Sequence, residues 1–86
     1  MTQQAGQIIK ETKNKIIGLK QTLRAVQQDK IKQVYIAADI EDHIIRKINE
    51  ACDEKQIPII ALNLPQKELG RLCQIEVGAS IVAIMK

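Results

Sequence analysis

The chain has 86 residues, 45% of them apolar and 27% charged, with a formal net charge of +3. That length suits one small domain around one core, burying about 60–65% of the surface that the unfolded chain exposes, and residues 1–86 are expected to fold as one unit. Tyr35 is the only aromatic residue, so the core is aliphatic and a platform of stacked rings, as used by single-strand-binding proteins, is excluded.

The predicted elements alternate. Thr2 caps a first helix that runs to Asn14, with Ala5, Ile8, Ile9 and Thr12 on one face. Lys15 to Ile17 is a short strand that ends at the Gly18 turn. A second helix runs from Leu19 to Gln28, with Leu19, Leu23 and Val26 at i, i+4 and i+7. Gln33 to Ala38 is a β-branched, apolar run of the kind found in buried strands. Asp39 is the candidate N-cap of a third helix whose apolar stripe is Ile44, Ile45, Ile48, Ala51 and Cys52. Ile57 to Leu62 is the next strand, with Pro58 near its start, where a missing N–H matters least. Asn63 and Pro65 open a short fourth helix to Leu72, Gln74 to Gly78 form a loop, and Ala79 to Met85 is a final apolar strand. Helices alternating with strands buried on both faces predict the α/β class: a three-layer α/β/α sandwich around a mixed, largely parallel four-stranded sheet. Ligands of such sheets sit where strands lead into helices, which selects Gly18 and the loop before the last strand.

Two cysteines, Cys52 and Cys73, and one histidine, His43, without a C-x-x-C pair, do not make a structural zinc site. Two buried thiols in a reducing compartment are the expectation. Met1 to Gln7 is polar and uncharged, with no apolar signal segment, and no run approaches the ~18 apolar residues of a membrane span. A cytoplasmic protein without membrane association is expected. The glycines form neither a P-loop nor a G-x-G-x-x-G turn, which disfavours a nucleotide cofactor. His43 has no nucleophile in suggestive context, and the carboxylates Asp39, Glu41 and Asp42 suit a helix N-terminus. No cofactor, metal or catalytic activity is expected.

Charge is unevenly spread. Residues 1–34 hold seven basic side chains against two acidic, and residues 35–68 hold four basic against seven acidic. Lys20 and Arg24 share a face at i, i+4 beside Gln21, in the first turns of a helix that follows Gly18. Two cations there oppose each other and the helix dipole, an arrangement that suits a docked anion. A solvated basic face is the plainer alternative.

Four strings, GLKQTLR at 18–24, YIAADIEDHI at 35–44, IPII at 57–60 and LGRLCQIEVGAS at 69–80, resemble the kink-turn-binding ribosomal proteins. This is the superfamily of ribosomal L-seven-Ae and L-thirty-e proteins, in its short bacterial form. The resemblance runs from Ile8 to the C-terminus and implies a non-enzymatic protein that stabilises kink-turns, which combine tandem sheared G·A pairs with a three-nucleotide bulge. In the family a G-x-N-E-x-T-K turn and helix enter the widened groove at the G·A pairs. Here Gly18 matches, Lys20 stands for Asn, Gln21 for Glu, Leu23 for Thr and Arg24 for Lys. Gln21 and Arg24 would read the bases, with Lys15, Lys20, Lys30 or Lys32 on phosphates. The family's apolar loop before the last strand matches Ile75, Glu76 and Val77, which would pack on the extruded nucleotides. Glu41, Ile45 and Gln66 or Lys67 match the pocket for a flipped-out base. The implied partners are structured RNAs, ribosomal RNA or riboswitch-type elements, met by a monomer. A protein–protein adaptor using the same loop as an apolar contact is the alternative, and salt dependence separates the two.

Overall fold

The computed structural model describes residues 2–86, with side chains from Gln7 onward. The roles expected of the Thr2 and Ala5 side chains lie outside the described residues. The elements are α1 (Thr2–Glu11), β1 (Lys15–Ile17), α2 (Leu19–Gln27), β2 (Ile31–Ile36), α3 (Asp42–Glu54), β3 (Ile59–Ala61), α4 (Gln66–Leu72) and β4 (Ile81–Met85). Helix α1 stops at Glu11 rather than Asn14, and Lys15 Nζ donates to the carbonyl of Ile9 at 2.8 Å, satisfying an acceptor of its last turn.

The sheet order is β1-β4-β2-β3. Helices α2 and α3 pack together on one face, and α1 and α4 meet on the other, giving three layers. The four-stranded sheet is mixed, but its pairing is not largely parallel: β4 runs antiparallel to both β1 and β2, and of the three pairings only β2–β3 is parallel. The reason lies in α4. Helices α2 and α3 each carry the chain back to the pole where the next strand starts, whereas α4 has only seven residues. The segment after it doubles back, so β4 starts at the pole where β3 ended. The buried strands are β2 and β4, with Ile31, Val34, Tyr35 and Ile36 against Ile81, Val82, Ala83 and Ile84. The expected strand at residues 57–62 shrinks to three residues, because β3 is an edge strand with Ile60 and Ala61 exposed. Pro58 precedes it, and its carbonyl accepts the Val34 N–H at 3.0 Å. On α2 the deeply buried face is Thr22, Ala25 and Val26, with Leu19 and Leu23 half-buried beside it.

Three helices end in the same way. After α2, α3 and α4 the residues Asp29, Gln56 and Gln74 take φ of 58°, 57° and 61°. In each case the next two amides fold back on the helix: Asp29 to Val26 and Lys30 to Ala25, Gln56 to Asp53 and Ile57 to Cys52, Gln74 to Arg71 and Ile75 to Gly70. These are Schellman ends built without the usual glycine. They place Ile57 and Ile75 back against their own helices, where both pack on the core.

Candidate nucleic-acid interface

Gly18 turns the chain from β1 into α2 with φ 107° and ψ 156°, a conformation that side chains with a Cβ avoid. Its N–H is held by the carbonyl of Ile81 at 3.0 Å. No side chain caps α2, so its first amides point outward with the positive end of the dipole. A Cβ on Gly18 would lie 3.1 Å from Gln21 Oε1, so the Gln21 side chain folds over the turn. Lys20 and Gln21 stand exposed in this first turn, and Arg24 is exposed one turn further.

Four connecting segments meet at this pole through backbone hydrogen bonds. Ala37 N–H donates to Ser80 at 3.0 Å, Ala38 N–H to Leu64 at 2.7 Å, and Ala79 N–H to Gln66 at 2.9 Å. Asp39 completes the frame: its Oδ1 accepts the Gln66 backbone N–H at 2.8 Å, and Gln66 Nε2 donates to the Asp39 carbonyl at 3.2 Å. Asp39 therefore caps α4, across 27 residues of sequence, and not α3. The residue that precedes α3 is Glu41, whose carbonyl accepts the N–H groups of Ile44 and Ile45. Pro65, one of the two residues expected to open α4, stands at its N-cap.

The frame groups the selected residues. Gly18, Lys20 and Gln21 lie at the β1–α2 turn, Glu41 and Ile45 at the start of α3, Lys67 in the first turn of α4, and Ile75, Glu76 and Val77 in the loop before β4. Lys20, Gln21, Glu41, Lys67, Glu76 and Val77 are exposed, while Ile45 is half-buried on the core. Val77 is 70% exposed, the most open of the large apolar side chains among the described residues. Ile75 differs from it: the Schellman end of α4 turns it inward, so the two apolar residues of this loop do different work. The loop lies close over α4 at Gly70, where a Cβ would run into the Val77 carbonyl. Glycine is thus the residue that lets the loop cross there.

Lys15, Lys30 and Lys32 are not part of this group. They sit at the starts of β1 and β2, at the opposite pole, and the Lys15 ammonium is already bonded to the end of α1. Asp39 and Gly70 are the residues that sequence reading did not assign to the site's architecture. Asp39 was visible as a cap, but nothing local to it names α4 as the helix it serves.

Electrostatically the pole is mixed. Glu41 Oε2 pairs with His43 Nδ1 at 3.2 Å and Glu68 with Arg71 at 3.3 Å, all in solvent. Lys20, Arg24 and Lys67 carry no ion pair among the described residues. Burial raises the thiols of Cys52 and Cys73 above their ordinary range, which keeps both protonated and poor as nucleophiles. Among the described residues no three His, Cys, Asp or Glu side chains gather as a metal site, and no helix is long and apolar enough to cross a membrane.

The sequence matches the ribosomal protein L7Ae/L30e/S12e/Gadd45 family over residues 2–86. It is 52% identical over 69 residues to an RNA-binding protein of Caldanaerobacter subterraneus subsp. tengcongensis, covering 80% of this chain and 83% of that one. It is 37% identical over 83 residues to the RNA-binding protein YbxF of Geobacillus stearothermophilus, covering 96% and 92%. Among solved structures, the Giardia lamblia 15.5kD RNA binding protein superposes with a TM-score of 0.90 at 25% identity, covering 99% of this chain and 73% of that one.

Proposed function

Because the chain belongs to the ribosomal protein L7Ae/L30e/S12e/Gadd45 family, we propose that it binds structured RNA and stabilises kink-turns. The observation that carries this reading is the convergence at one pole of two unlike surfaces. One is the uncapped start of α2 with Lys20, Gln21 and Arg24 beside it. The other is a loop that holds Val77 out in solvent. A helix end that offers amides and cations suits a widened groove and its phosphates. An exposed aliphatic side chain next to it suits the face of an unstacked base, for which no aromatic ring is required. An ordinary A-form major groove is too narrow to admit such a helix end, so the fit is to kinked RNA.

In this reading the start of α2 enters at the sheared G·A pairs. Arg24 donates to guanine O6 and N7, Gln21 accepts from an exposed amino group, and Lys20 reaches O6, N7 or a phosphate. Val77 covers the extruded nucleotides, and Glu41, Ile45 and Lys67 border the pocket for one flipped base. The protein acts without catalysis, as a cytoplasmic monomer, on ribosomal RNA or riboswitch-type elements. That its relatives are named RNA-binding proteins supports a role without catalysis.

The test is a gel shift with a kink-turn duplex and with the same duplex in which Watson–Crick pairs replace the G·A pairs. The kink-turn should bind far more tightly. With labels on the two RNA arms, protein added without divalent ions should bring the arms together. Full occupancy at unchanged arm separation would leave RNA binding and remove kink stabilisation.

A further inference from the structure

We infer that the pole opposite Gly18 is a second contact for the RNA backbone, joined to the first by a groove along α2. This rests on the RNA-binding reading above and extends it to the stems that flank the kink.

The groove lies between α2 and the edge strand β1 and has a volume of about 210 Å³. Its floor is Ile16 and Met85, and its wall is Gln21, Arg24, Gln28 and Lys30. It thus starts at two residues of the proposed base-reading helix and ends at a lysine of the far pole, along a helix that rises about 14 Å over its length. At that pole Lys86 N–H donates to the Lys30 carbonyl at 2.9 Å, which sets Lys30 and Lys86 side by side on neighbouring strands. Lys32, Lys55 and Lys86 then border a second hollow of about 240 Å³. Lys55 is neutralised by Asp29 at 3.1 Å, but Lys30, Lys32 and Lys86 carry no ion pair among the described residues.

Helix dipoles do not account for all of these lysines: Lys30 follows the end of α2, but Lys32 and Lys86 follow no helix. Helices α1, α2 and α3 all end at this pole, but their last-turn cations are Lys10 and Arg24, with none in α3. Lys32 and Lys86 sit at strand ends instead, with Lys30 beside Lys86, where like charges on adjacent strands destabilise each other. A polyanion lying across them removes that repulsion. The acidic side chains Glu50 and Asp53 of α3 line a separate hollow on the β3 side, which confines the basic track to the α2 side. A membrane surface fits less well, since interfacial binding needs apolar side chains to insert. The exposed large apolar residues Ile8, Ile60 and Val77 lie neither in the groove nor among these strand ends.

The experiment compares the parent with a variant combining Lys30→Glu, Lys32→Glu and Lys86→Glu. The probes are a kink-turn RNA with minimal stems, the same kink with stems extended by a full helical turn, and a plain duplex of the longer length. The parent should bind the long-stemmed kink-turn about tenfold or more tightly than the short one near 0.1 M salt. Its slope of log affinity against log salt should be steeper by about 0.9 for each added phosphate contact. The variant should lose both differences while binding the short RNA as the parent does. A triple change to Gln, checked by thermal melting, serves if the Glu variant folds poorly, and it should show the same loss. A parent with no preference for long stems, or a variant that keeps the parent's preference, overturns the inference. If the parent fails on the short kink-turn, the kink-turn reading falls, and the plain duplex then decides: salt-dependent binding lost in the variant sustains the second contact, and no such loss removes it.

Discussion

Gln66 donates twice to Asp39, its backbone N–H to Asp39 Oδ1 at 2.8 Å and its Nε2 to the Asp39 carbonyl at 3.2 Å. Gln66 in turn accepts the Ala79 N–H, so one pair fixes the loop before α3, the start of α4 and the approach to β4. Asp39→Ala removes the acceptor at the start of α4 and should cost about 0.5–2 kcal/mol of stability, as the loss of a helix cap does. It should also weaken kink-turn binding, because Glu41, Ile45 and Lys67, proposed above to border the base pocket, stand on the segments that it joins. Asp39→Asn keeps an oxygen acceptor and should recover most of both. Denaturant unfolding and a binding titration on the three proteins check this.

Lys20 and Arg24 are exposed and make no ion pair among the described residues, so neither carries the fold. Lys20→Ala and Arg24→Ala should leave the melting temperature within about a degree or two of the parent. Each should lose about 1–3 kcal/mol of kink-turn affinity if it bonds a base in bidentate fashion. A phosphate contact instead would weaken all RNAs alike and lower the salt slope by about 1. Parent-like affinity in both variants would place the RNA elsewhere.

Ile75 and Val77, two residues apart, should separate under mutation. Val77→Ser alters an open side chain and should leave the melt unchanged while reducing kink-turn affinity. Ile75→Ala removes half-buried methyl groups from the end of α4 and should cost about 1–2 kcal/mol of stability, less than the roughly 2–5 kcal/mol of a fully buried isoleucine. A Val77→Ser protein that melts many degrees lower would make this loop part of the core.

The backbone makes two opposite predictions. Gly70→Ala sets a Cβ against the Val77 carbonyl, a backbone atom that cannot swing away, so the loop must lift from α4. Stability and kink-turn binding should fall together. Gln56→Gly acts the other way: Gln56 holds a left-handed conformation at φ 57°, exposed and at the pole opposite Gly18. Glycine relieves about 1 kcal/mol of strain there, partly offset by its larger unfolded-state entropy. A small gain in melting temperature with unchanged affinity for the short-stemmed kink-turn is expected.

The two thiols contribute to the alkaline behaviour, below the range in which the buried Tyr35 hydroxyl, also raised, titrates. Cys52 and Cys73 are raised by burial in the folded chain, Cys73 with an opposing pull from Lys15. The unfolded chain therefore loses these protons first as pH rises. Their contribution is fully present below the ordinary thiol value, about 8.5, and is lost as pH climbs through the folded values. Stability should decline from about pH 8.5 upward, and a Cys52→Ala, Cys73→Ala protein should show a shallower decline. Alkylation of the parent at pH 8 should be slow until denaturant is added.

Periodicity alone carried the element types, because the apolar spacing of α3 and the continuous runs at β2 and β4 are local patterns. The aliphatic core and the two buried thiols follow from composition in the same way. The α/β class and the family were legible too, since the strings around Gly18 and before β4 are local in sequence. What needed tertiary structure was every relation between distant segments. The antiparallel placing of β4 follows from α4 being too short to carry the chain across the sheet, a question of length against sheet height that no residue states. Asp39 reads as a cap in isolation, but which helix it caps depends on the β2 and β3 ends lying side by side. The helix ends at Asp29, Gln56 and Gln74 carry no glycine to announce a left-handed turn, so the inward direction of Ile75 was hidden while the outward one of Val77 was not. The basic residues looked like one patch in the first third of the chain. Folding divided them between two poles, because β1 and β2 start at the end of the sheet opposite Gly18, and only Lys20 and Arg24 remain with the start of α2.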